Sequence, residues 1–219
     1  MGPAATFKLM SIGIIIISFV VGLIFFYMIS YLSKEQRKAQ IEEIVSQLIN
    51  FIIFIWIGKI ILNFSIFIKD PLAILAYPSN AEAFYLAVLF SAILLFYKAY
   101  KKKFDVLQLA TSFLSVFLMA YYLYEFIQII VKHNTYSFEN LTLSTVLLVL
   151  FLIINGRLTD RNLIMTMLIS WSAGMLILAY TQPFVTVFGY MMAPWFVGLF
   201  LTINLFFIIF GKRDLNERN

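Results

Sequence analysis

Long, unbroken apolar runs separated by short basic clusters constrain this chain more than any other feature. Seven such runs can be counted, at about residues 9–32, 48–68, 83–98, 106–131, 141–156, 163–182 and 195–210. Crossing ~30 Å of hydrocarbon takes about 20 helical residues at ~1.5 Å each, so the longer runs reach across unaided. The third, fifth and seventh runs are shorter and are expected to borrow flanking residues or to end at the interface. All seven are continuous rather than alternating, which excludes a membrane β-barrel as the main architecture. The fold expected is an all-α polytopic membrane protein: a single domain over residues 1–219 with seven transmembrane helices. Composition agrees. The chain is 63% hydrophobic and 12% charged, where a soluble domain carries about 25% charged residues.

Orientation follows from the basic residues. One set of connections holds Lys34, Arg37, Lys38, Lys98, Lys101, Lys102, Lys103, Arg157, Arg161, Lys212, Arg213 and Arg218. The opposite set holds only Lys8, Lys69 and Lys132, and Lys59 lies inside a run. Because basic loops stay in the cytoplasm, the N-terminus is expected outside and the C-terminus inside. Positive residues in short runs between apolar segments are a topology signal, so the net charge of +5 does not imply a nucleic-acid partner. No cleavable leader is expected, because the first apolar run is too long and lacks a basic start. The opening MGPAAT matches a loose acylation pattern, but Pro3 and an external N-terminus argue against it.

Chemistry is narrowed by what is missing. With no cysteine and one histidine, disulfides, thiolate nucleophiles and metal sites drop out, and no cofactor is expected. The connections differ in character. Residues 33–47 read as a short cytoplasmic helix, while 69–82 and 183–194 are apolar, Pro-bounded and read as interfacial or re-entrant segments. Two ionisable residues fall within apolar runs: Lys59, near the middle of the second, and Glu125, in the outer part of the fourth. Charges there are expensive and mark candidate sites. One reading makes them a structural ion pair, or Lys59 a snorkelling residue. The other makes them part of an outward-facing polar cavity holding an anionic head group on Lys59, with Gln128 one turn beyond Glu125 on the same face. Asn50, Asn63, Asn155 and Asn204 are expected to hydrogen-bond between helices, and Tyr180, Tyr190 and Trp195 to anchor at the interface.

The order of these elements resembles bacterial prolipoprotein diacylglyceryl transferase over about residues 50–213. IGKIILNFSIFIKDPLAIL resembles a Gly-x-Arg-Leu-Gly-Tyr-Val-Leu segment followed by Asn-Pro-Leu, with Lys59 at the basic position. LLFYKAYKKKFDVLQLATSF resembles the stretch where a span ends in a basic cluster and Asp opens the next. YYLYEFIQ resembles the signature Gly-Arg-x-Gly-Asn-Phe-x-Asn, with Phe126 kept, Glu125 and Gln128 for the two Asn, and Tyr122 for the Arg. GYMMAPWFVGLFLTINLFFIIFGKRD has the shape of the last span and its basic end.

The departures bear on activity. The family's His-Gly-Gly would fall near Glu82 to Phe84 and is absent, and the charges of an Arg-Phe-x-x-Glu-x-x-Arg stretch become Gly174, Leu178 and Thr181. The resemblance therefore implies a catalytically impaired relative in a bacterial inner membrane. It would bind a phosphatidylglycerol-like phospholipid or a lipoprotein precursor, with Lys59, Tyr122, Glu125 and Gln128 lining the polar cavity. Two other readings stay open: an active diacylglyceryl transferase or related lipid enzyme with a rearranged site, and a small transporter.

Overall fold

In the computed structural model the described residues are 3–76, 80–101, 105–132, 134 and 136–211, and side chains are described for all of these except 3–8, 75–76, 132 and 206–211. Lys102, Lys103, Lys212, Arg213 and Arg218, on which part of the charge count rests, lie outside them. The chain order is α1 Pro3–Ile29, α2 Lys34–Leu62, α3 Phe64–Lys69, α4 Ala73–Ala76, α5 Ala81–Tyr100, α6 Val106–Lys132, α7 Ser137–Ile154, α8 Asp160–Thr181, β1 Thr186–Val187, β2 Tyr190–Met191 and α9 Pro194–Gly211. Six helices (α1, α2, α5, α6, α7 and α8) are long and apolar enough to cross a membrane. Side chains such as Ile16, Trp56, Phe96 and Ile177 stand more than half exposed on their faces. Apolar exposure spread over so many helices suits a hydrocarbon solvent, and the architecture is that of a multi-pass α-helical membrane protein. The three shorter runs gain residues at their ends: α5 has 20, α7 has 18 and α9 has 18. Asn80 helps by capping α5, its Oδ1 accepting from the Ala83 N–H at 3.0 Å.

The second run departs from expectation at both ends. Ser33 opens α2 with a capping box, its hydroxyl accepting from the Gln36 N–H while the Gln36 side chain accepts from the Ser33 N–H. Nothing between there and Leu62 stops the helix. Residues 33–47 are therefore the first half of α2 rather than a separate short helix. At the far end the helix finishes six residues before the expected limit at Ile68. The Asn63 side chain and backbone N–H both donate to the Lys59 carbonyl at 3.0 Å. Asn63 leaves helical geometry (φ −124°, ψ 40°), and α3 begins after it.

The chain forms two compact units. Unit one comprises Met1–Ser30, Ala110–Phe188 and Met192–Asn219, and unit two Tyr31–Leu109 and Gly189–Met191. In unit two, α2 and α5 lie close because Gly58 has no side chain; a Cβ there would meet the Ala83 carbonyl oxygen at 3.0 Å. Phe51 meets Phe84 and Phe54 meets Phe90 edge to face along the same seam. Its polar end is held by Lys98–Glu43 at 2.5 Å, and beside it Gln40 of α2 donates to Gln108 in the first turn of α6 at 3.0 Å.

In unit one, Gly22 brings α1 against α6, where a Cβ would come within 2.5 Å of the Val116 carbonyl oxygen. One face of α7 is buried along Ser137, Asn140, Ser144, Leu147 and Phe151, a helical i, i+3, i+4 stripe. Its apolar half packs with Leu118 of α6 and Leu163 and Met167 of α8.

Segment 183–194 contains the short β-hairpin at Thr186–Val187 and Tyr190–Met191. Phe188 and Gly189 both have positive φ, 50° and 82°. That is the geometry of a tight hairpin turn, which glycine adopts readily and phenylalanine does not. Packing holds Phe188 there: its ring touches Phe19 of α1 and Phe117, Tyr121 and Tyr124 of α6, at centroid distances from 5.0 to 5.8 Å. Phe117 lies near the middle of α6, so the Phe188 ring is packed within unit one, while Gly189 is exposed and belongs to unit two.

Candidate functional site

The buried face of α6 runs from Val116 through Ala120 and Tyr121 to Tyr124, Glu125 and Gln128. This stripe at helical spacing turns polar toward its C-terminal end. Glu125 is 1% exposed. A carboxylate taken that far from water costs several kcal/mol unless partners replace the lost hydration. One partner comes from α7, where the Ser137 hydroxyl donates to the carboxylate. Oε1 is buried with no hydrogen-bond partner among the described residues, so the Ser137 contact falls on Oε2. The Tyr121 phenol lies near enough to interact with the Glu125 charge, and its hydroxyl donates to the Thr186 carbonyl at 3.4 Å.

Helix α7 extends the polar interior. Asn140, one turn beyond Ser137 on the same buried face, is 2% exposed, and its Oδ1 likewise lacks a partner among the described residues. Beside this turn the Gln182 amide, in the C-cap of α8, donates to Glu139 at 2.7 Å and to the Tyr136 carbonyl at 3.3 Å. These two bonds fix the amide orientation and leave Gln182 Oε1 buried without a partner among the described residues. The interior at this end is thus rich in acceptors and short of donors. No group of three His, Cys, Asp or Glu side chains able to hold a metal occurs among the described residues.

The sequence-chosen residues fall in both units. Glu125 and Gln128 share the buried face of α6. Tyr122 turns aside, half-buried, and stacks on the exposed ring of Phe126 at 6.3 Å. Lys59 belongs to unit two and is 4% exposed. It stands in the last turn of α2, not near the middle of a span. There its charge is favourably placed against the negative end of the helix dipole.

Asn63 and Asn204 each donate to a carbonyl four residues back, and Asn155 is the C-cap residue of α7. Ser137, Asn140 and the Glu139–Gln182 pair escaped the sequence reading. A signal for the first two was present, since Ser137, Asn140 and Ser144 continue the helical spacing of Leu147 and Phe151. No family model, curated protein or solved structure matches this chain.

Proposed function

We propose that this chain is a seven-span protein of a bacterial inner membrane, N-terminus outside and C-terminus in the cytoplasm. In this reading it binds the head group of an anionic, phosphatidylglycerol-like phospholipid through Lys59 and transfers no diacylglycerol. The observation that carries the reading is the burial of Lys59, a basic side chain in an apolar stretch of α2. An ionisable side chain within a membrane segment is costly and marks a candidate functional site by default. The resemblance to the diacylglyceryl transferases supplies the substrate class, and the missing His-Gly-Gly and Arg residues argue against turnover. Losing one oriented electrostatic contact already costs about a hundredfold in rate.

Lipid analysis of the purified protein tests the head-group claim. Lys59→Met is expected to lower co-purifying phosphatidylglycerol severalfold, and an unchanged lipid content would overturn it. A transfer assay with phosphatidylglycerol and a lipobox peptide is expected to stay at background; product above background would move the reading to an active enzyme. Reporter fusions at 99–105, 157–162 and the C-terminus should all report cytoplasm, and an external 99–105 loop would reverse the orientation.

A further inference from the structure

We propose that Glu125 and Asn140 form a binding site for a primary ammonium group inside unit one, at the end where α6 finishes and α7 begins. The ligand class follows from the atoms on offer. Glu125 Oε1 and Asn140 Oδ1 are acceptors, both on side chains more than nine-tenths buried and both without a partner among the described residues. Ser137 ties the two helices together here, bonding the Glu125 carboxylate from one turn before Asn140. Acceptors left unpaired in such a place are destabilising, and more so when charged. A ligand that donates hydrogen bonds or is positive recovers that cost, and an anion such as phosphate does not.

An ammonium group fits better than a metal ion. A –NH3+ group brings three donors and one charge. Hard divalent cations demand six or more oxygens, and the described residues around Glu125 supply fewer. The rings of Tyr121 and Tyr124 stand on the same buried face of α6, and aromatic faces attract organic cations. Such an ammonium has two chemical sources, the head group of an aminophospholipid or a small soluble amine. This site is independent of the Lys59 reading, and its test touches no residue of unit two.

The test uses the full chain in lipid nanodiscs, read by native mass spectrometry. Discs of phosphatidylethanolamine with phosphatidylglycerol are compared with discs in which phosphatidylcholine, whose head group has no N–H donor, replaces the former. Retained phosphatidylethanolamine is expected to exceed phosphatidylcholine about tenfold, and Glu125→Gln should remove the preference. Titration of the detergent-solubilised protein with ethanolamine distinguishes the sources. Ethanolamine binding that Glu125→Gln weakens about tenfold, with no lipid preference, assigns the site to a soluble amine. Asn140→Leu, which keeps the carboxylate, should weaken whichever ligand binds and guards against loss through misfolding of the Glu125 variant. Equal retention of both lipids together with no ethanolamine binding overturns the proposal. So does an ammonium preference that survives Glu125→Gln.

Discussion

At one end of unit one, α6, α7 and α8 bury Leu118, Leu147, Phe151, Leu163 and Met167 against one another. At the other, α6, α7 and the C-cap of α8 bury Glu125, Gln128, Ser137, Asn140 and Gln182. The helices are shared and the degree of burial is similar, yet the free-energy balance differs. The apolar end gains from every buried side chain through dispersion and close packing. The polar end holds three acceptor oxygens with no donor among the described residues, each a cost that packing does not return. Stability is concentrated at one end, and the other is arranged for something besides stability, as functional sites usually are.

Truncation at the apolar end should produce the largest loss. Phe151→Ala removes a side chain only 1% exposed and should destabilise by about 3–5 kcal/mol, the usual cost of emptying a packed aromatic site. Reversible unfolding in mixed micelles measures it, and a loss below about 1 kcal/mol would erase the contrast between the ends.

Next comes the seam that joins α1 to α6. Gly22→Ala drives a methyl into the Val116 carbonyl, where the obstacle is backbone and cannot swing away. A cost of about 1–3 kcal/mol is expected from such overpacking. Gly174→Ala makes the useful comparison, because the added methyl there meets only the flexible tip of Leu143. A melting experiment on both variants should rank Gly22→Ala as clearly worse; the reverse order would mean that α1 does not pack on α6 as described.

At the polar end, Ser137→Ala removes the donor to Glu125 and should cost about 1–2 kcal/mol. Thermal unfolding would show whether Glu125→Gln made in the same background restores part of that loss. Strict additivity of the two changes would separate the residues energetically.

The smallest effect should carry the opposite sign. Asn140→Leu replaces a buried, unpaired oxygen by a hydrocarbon group of similar size and should raise stability by about 1 kcal/mol. Denaturant midpoints would detect this, and a loss of 2 kcal/mol or more would make the polar end a structural core like its counterpart.

Much of the fold was legible in the amino-acid order. The apolar runs located α1, α5, α6, α7, α8 and α9 to within a few residues, since a helix in lipid must be apolar along its whole length and its ends must meet polar groups. Glu125 and Gln128 were legible for the same reason: a charge and an amide inside an apolar run stand out, and their three-residue spacing puts them on one face. The second run was misjudged because its features are local bonds that leave no hydropathy trace. The Ser33 capping box and an uninterrupted stretch of helix formers make 33–47 continuous with the span, while the two hydrogen bonds from Asn63 to the Lys59 carbonyl end it early.

Tertiary contacts alone decided the rest. Phe188 occupies a left-handed conformation because five rings from α1, α6 and the hairpin close around one another, and nothing in PFVTVFGYMMAP announces those neighbours. Ser137 and Asn140 became site residues only when α7 folded back beside α6, since hydroxyl and amide groups are common in membrane helices and acquire a role from what faces them. Hydropathy is summed along the chain and survives in sequence; hydrogen bonding depends on partners many residues away, and only the folded chain assigns them.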